Sequence, residues 1–191
     1  MGLRDRHRRR HPRRHDRRAD APQDGLAPLI HGTFWDDGGH PDVQPPLTDE
    51  AVRTAERILG VTLPAALVDL LRVRNGGGVH QTRRRYPISQ PTSWARDHVP
   101  VPTVMGIGDD GSGLSITDTP YLVQEWGLPQ PVVLLTGDGH WWIALDYRAS
   151  GPHGEPSVTW FDTELGTELE LAPDFRTFVG GLTSEGAGVA G

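Results

Sequence analysis

The hydrophobic pattern changes period at Asn75-Gly76, and no other feature limits the fold as strongly. Before that point the apolar residues Ala51, Val52, Ala55, Ile58 and Leu59 recur at close to helical spacing. Thr48 or Asp49 caps this helix, Asp49 and Glu50 suit its N-terminal dipole, and Gly60 stops it. Leu63-Pro64 opens a second helix with Pro in its first turn and a buried stripe of Leu67, Leu70 and Leu71. Asn75-Gly76 ends that helix, with glycine in the left-handed C-cap position.

From Gly77 onward the pattern becomes short strands between turns. The expected strands are Val101 to Met105, Leu114 to Thr117, Val132 to Thr136, Trp141 to Tyr147 and Ser157 to Asp162. Gly137-Asp138-Gly139 predicts a hairpin turn. Leu122 to Trp126 predicts a helical turn, and a last helix near Pro173 carries Phe175, Phe178, Val179 and Leu182. Phe34 and Trp35 form an anchor on the core. Helices first, antiparallel strands next and a closing helix specify an α+β class, a mixed, mainly antiparallel sheet with helices packed against it.

Composition removes whole classes of chemistry. The chain has no cysteine, so disulfides, cysteine zinc sites, iron–sulfur clusters and thiol nucleophiles are excluded. No stretch reaches the ~18 consecutive apolar residues of a membrane span. The 24 Gly and 17 Pro favour turns and short elements over a helical bundle.

The net charge of −6 conceals an asymmetry. Residues 1–18 hold nine Arg against Asp5 and Asp16, a net of +7, which leaves −13 on the rest. Residues 1–25 are expected to be a disordered Arg-rich tail, because nothing there can be buried and like charges repel. No apolar stretch follows its Arg pairs, so a twin-arginine export signal is not indicated. The tail suits only non-specific contact with nucleic acid, and nucleic acid is not expected as a partner of the body. Residues 26–183 form the expected α+β domain and residues 184–191 a flexible end.

Catalytic motifs are weak. Gly106 to Gly111 spells GIGDDG, but the strand-and-turn composition after it lacks the helix a dinucleotide site requires. There is no nucleophile elbow, Walker A loop or zinc-protease helix. His80, His98, His140 and His153 stand singly. No catalytic, cofactor-binding or metal-binding residue is assigned, and no cofactor is expected.

The segment PPLTDEAVRTAERILGVTLPAALVDLLRVRNGG resembles the opening of the SUKH superfamily, with Glu56, Leu59-Gly60, Leu63-Pro64 and Asn75-Gly76 at the matching places. Trp126 to Pro129 with VVLLTGDGHWWIALDYR resembles its central hairpin, VTWFDTE the next strand and DFRTFVGGL its closing helix. The long loop from Arg83 to His98 and the Arg-rich tail depart from the pattern. The superfamily includes fungal cell-wall-assembly regulators and bacterial toxin-immunity proteins. The resemblance implies the same α+β fold and a binding role rather than catalysis. The reading it supports is a monomeric, cytoplasmic immunity protein that occludes a cognate toxin such as a nuclease, since an acidic body suits a basic partner. The other readings are an intracellular regulatory scaffold and, more distantly, a hydrolase using Asp or His of the 106–118 and 137–146 loops.

The expected partner-binding residues are Asp109, Asp110 and Asp118 in one loop, with Asp138 and Trp142 at the hairpin. Alternation places Trp141, Ile143, Leu145 and Tyr147 on one face of their strand and Trp142, Ala144 and Asp146 on the other. With the first face on the helices, Trp142 is free to anchor a partner beside Asp138 and His140, unless loop 83–98 or Phe34-Trp35 covers it. Glu56 is expected on a helix face, paired with Arg53 or a more distant Arg.

Overall fold

The computed structural model describes residues 34–40, 43–108 and 113–184. The tail reading and most of the C-terminal-end reading lie outside them, as do Asp109 and Asp110. Helix α1 spans Asp49–Leu59; the Thr48 hydroxyl accepts from Ala51 N, and Gly60 closes it at φ 68°, a left-handed value that favours glycine. Among the described residues Glu56 pairs with no Arg, neither Arg53 nor a more distant one, contrary to expectation. Its Oε1 accepts from Leu63 N at 2.9 Å, satisfying a backbone donor in the link to helix α2, Ala65–Val73. Pro64 is the N-cap of α2 rather than a residue of its first turn. Arg74, in extended conformation, is its C-cap, so Gly76 (φ 92°) turns the chain after the helix has already ended.

The glycines that follow serve close approach. Strand β1, Gly77–Gly78, pairs antiparallel with β4, Thr103–Val104. A Cβ on Gly78 would overlap the Asp36 carboxylate, which lies against this strand. Asp36 is fixed there by Arg84 Nη2 at 3.2 Å, and its carbonyl accepts from Arg74 Nη1 at 2.5 Å. Phe34 is buried and meets Trp35 edge-on at 4.9 Å, so the expected anchor is present.

Strands β2, Arg85–Pro87, and β3, His98–Pro100, form a second antiparallel pair. The segment Leu114 to Thr117 is not a strand. Ser115 makes one parallel bridge to Gly106, and then Ile116–Asp118 turn as a short 3-10 helix. The cause is local: the Ser115 hydroxyl accepts from Thr117 N while the Asp118 carboxylate accepts from Ser115 N, so the two cap each other. Helix α3, Thr119–Glu125, follows and contains most of the expected helical turn.

The main sheet is an antiparallel meander in the order β5–β6–β7–β8: Val132–Gly137, Trp141–Asp146, Ser157–Asp162 and Thr167–Ala172. Alternation separated the faces of β6 correctly, but both are buried. On one face Trp141 stacks on Trp160 at 4.7 Å, and Trp94 of the 83–98 loop lies edge-on to Trp141. On the other, Trp142 pairs across the sheet with Gly137 and Phe161. Trp142 is 1% exposed and its ring fills the space above Gly137, where a Cβ would overlap it. The exposed-anchor expectation for Trp142 is therefore corrected.

Helix α4, Phe175–Gly181, closes the domain with Phe175, Phe178 and Val179 buried, capped by Asp174. Tyr86 stacks on Phe178 at 5.1 Å and donates to Leu171 O at 2.6 Å, joining β2, β8 and α4. One apolar core runs from Phe34 to Leu182 through helices and sheets. The fold is α+β, as the order of elements predicted. Among the described residues, no helix is long and apolar enough to cross a membrane.

Candidate partner-binding surface

Two turns meet at one end of the meander. In the β5–β6 turn, Asp138 Oδ1 accepts from His140 N at 2.9 Å and Trp141 N at 3.4 Å, a side chain imitating a backbone turn. Gly139 follows at φ 99°, and a Cβ there would overlap the Trp126 ring. In the β7–β8 turn, Asp162 accepts from Leu165 N through Oδ1 and from Ser93 N through Oδ2, both at 3.0 Å. Burial works to raise the Asp162 carboxyl, but these hydrogen bonds outweigh it and hold the pKa below the ordinary value. The Thr163 hydroxyl lies 2.6 Å from Gly139 O and 2.5 Å from His140 O, and Glu164 Oε1 lies 3.0 Å from His140 Nδ1. The two turns therefore behave as one unit.

A groove of about 270 Å³ runs between this unit and Trp126–Pro129, lined by Phe161, Thr163, Gly166 and Glu168 among others. Trp126 is 42% exposed beside it and Leu165, on the turn, 61% exposed. At its edge Arg148 is held by three parts of the fold. Its Nε and Nη2 donate to Asp146 at 2.6–3.1 Å, Nη2 also donates to Glu168 Oε2 at 2.9 Å, and its guanidinium sits 5.5 Å from the Phe161 ring centre. Burial raises the Asp146 carboxyl, yet Arg148 overrides it and the pKa stays low.

Charge is also segregated along the chain. Residues 97–174 hold thirteen acidic residues and Arg148 alone, a net of −12, whereas eight of the ten body arginines fall between Arg53 and Arg96. Asp138, Glu164, Glu168 and Glu170 are exposed parts of that acidic half.

Of the expected site residues, Asp138 lies on this surface and Trp142 is buried in the sheet that carries it. Asp118 belongs elsewhere: its Oδ2 accepts from Ser115 N, and the neighbouring Thr117 lines a different groove beside α1. Trp126, Glu164, Leu165 and Glu168 were not anticipated as site residues; the depletion of Arg after Arg96 marks only the acidic half of the chain in which they fall. Among the described residues no cluster of three or more His, Asp or Glu could hold a metal ion.

The family model described as SMI1 / KNR4 family (SUKH-1) matches residues 46–181. No curated protein matches the chain significantly.

Proposed function

Because this chain belongs to the SMI1/KNR4 (SUKH-1) family, we propose that it is a non-catalytic binding protein that neutralises a basic toxin domain by covering its working surface. The observation that carries this reading is the acidic end of the meander, where exposed Trp126 and Leu165 are rimmed by Asp138, Glu164 and Glu168. Tryptophan is enriched among residues that dominate binding energy, and a one-signed rim steers and selects an oppositely charged partner. A nuclease toxin must hold phosphate and is basic where it does so, which makes its substrate groove the complementary surface. Binding acts by occlusion, so the proposal needs no reacting residue in this chain.

The test is capture from the native host with the full chain as bait, washed at high salt, with mass spectrometry of what remains. The expected result is a one-to-one partner with a basic domain that poisons cells and is silenced by co-expression of this chain. Glu164→Lys combined with Glu168→Lys should weaken that complex by at least about tenfold. A retained partner without toxicity would favour a regulatory scaffold. Unchanged affinity in the double variant would move the interface off this surface.

A further inference from the structure

We infer that the groove beside Trp126 reads arginine: a partner enters it with a guanidinium group, and lysine is a poor substitute. The inference rests on the reading of this end of the sheet as the partner surface and specifies what that surface recognises. Its basis is a seat the protein has already built for its own arginine. Arg148 lies over the Phe161 ring while its fork of N–H groups reaches Asp146 and Glu168 together. An aromatic face below and carboxylates at the side are what a planar, five-donor cation uses and a compact ammonium does not.

The groove next to this seat repeats its components without an occupant from the described residues. Trp126 offers the aromatic surface, 42% exposed, and the same groove is lined by Phe161 and Glu168. Glu168 gives Oε2 to Arg148, which leaves Oε1 for a second donor. Glu164 spends Oε1 on His140, and Asp138 spends Oδ1 on its own turn, leaving one oxygen each. The turns that present these groups are tied by Thr163, so the carboxylates are held rather than gathered on binding, which reduces the ordering an arriving side chain would have to impose. A groove of about 270 Å³ accepts a side chain rather than a folded segment. Exposed Glu168, Glu164 and Asp138 select a cation, and the ring selects the planar one.

The full chain is titrated with a hexa-arginine peptide and, separately, with a hexa-lysine peptide of equal charge, affinities being read by calorimetry and the Trp126 indole N–H of the parent followed by NMR. The expected result is at least about fivefold tighter binding of the arginine peptide, with the Trp126 signal moving most. Trp126→Leu should bring the two affinities together, and Glu168→Gln should weaken both peptides while leaving arginine preferred. Equal affinities in the parent protein would overturn the inference, as would an arginine preference that survives Trp126→Leu. Binding that appears only after Arg8, Arg9, Arg10, Arg13 and Arg14 are changed to Gln would also overturn it, because the occupant would then be the chain's own N-terminal segment. Neither peptide is a toxin, so these results stand apart from the partner test. A toxic partner released by Glu164→Lys with no arginine preference would sink only this inference, and an arginine preference with no toxic partner would sink only the function.

Discussion

Asn75 pairs with Ile107 as a neighbouring strand would: its Oδ1 accepts from Ile107 N, and its Nδ2 donates to Ile107 O, each at 2.8 Å. The same Nδ2 donates to Pro45 O at 2.6 Å, and the Asn75 carbonyl accepts from Gln44 N at 2.8 Å. One buried amide thus joins the end of α2, the segment entering α1 and the chain after β4. Removing either partner of a buried hydrogen bond leaves the other without water or protein, at roughly 1–3 kcal/mol per group.

Asn75→Ala is therefore expected to destabilise the fold by about 3 kcal/mol or more. Asn75→Asp should be worse at neutral pH, since a carboxylate would face the Pro45 and Ile107 carbonyls with no proton to donate. Urea midpoints check both. Stability within about 1 kcal/mol of the parent for Asn75→Ala would mean that other groups hold the three segments.

Gly137 and Trp142 form a complementary pair across the β5–β6 hairpin. Trp142→Ala should cost about 3–5 kcal/mol, the range of a core aromatic. Gly137→Ala should cost about 1–3 kcal/mol or more by overpacking, because its Cβ would overlap the Trp141 carbonyl as well as the Trp142 ring. The double variant should cost less than their sum, because the added methyl enters the space the ring vacates. Simple additivity would assign the cost of Gly137→Ala to the Trp141 carbonyl rather than to the ring.

Gln44 is 4% exposed, and among the described residues neither of its amide atoms has a hydrogen-bond partner. Its side chain packs so closely on Gly106 and Gly108 that a Cβ at either would overlap it. Gln44→Met keeps the length and removes the polar atoms, so it should raise stability by about 1–2 kcal/mol. A loss of stability in the thermal midpoint would contradict this account of the site.

Asp146 supplies a pH dependence of defined sign. Its folded pKa lies below the ordinary value despite burial, because Arg148 favours the charged form. Such a group stabilises the fold above its unfolded pKa, near about 4, and that contribution is lost as pH falls through the lower folded value. Asp146→Asn should therefore be less stable than the parent at neutral pH, with the difference shrinking as pH falls below the ordinary carboxylate value. A difference that stays constant across that window would assign the effect to packing rather than charge.

The legible parts of the molecule are those whose signals are local. Thr48 and Gly60 delimit α1 because a cap acts on the turn beside it, and Gly137-Asp138-Gly139 marks the hairpin for the same reason. Strand β8 escaped because Glu168 and Glu170 occupy its outward positions, as suits an edge strand, and leave it few apolar residues. Glu56 was misplaced because its partner, Leu63 N, lies beyond the helix and outside the spacing rules. Trp142 shows the limit of alternation, which separates two faces but does not tell how many are covered. Asp138 was visible as a turn residue, whereas Trp126, Glu164 and Glu168 acquire meaning only when the meander folds and brings their turns together.

The connectivity of the meander also has a kinetic side. Each of β5 to β8 pairs with the strand next to it in sequence, so the sheet forms through short loop closures. The contacts of Asp36 with Arg74 and Arg84 span 38 and 48 residues and close a far longer loop. We expect them to form after the rate-limiting step. Weakening them, as in Asp36→Ala, then hastens unfolding and leaves refolding almost unaltered. On that order of events, how long the folded chain persists depends on the contacts of Asp36 rather than on the meander.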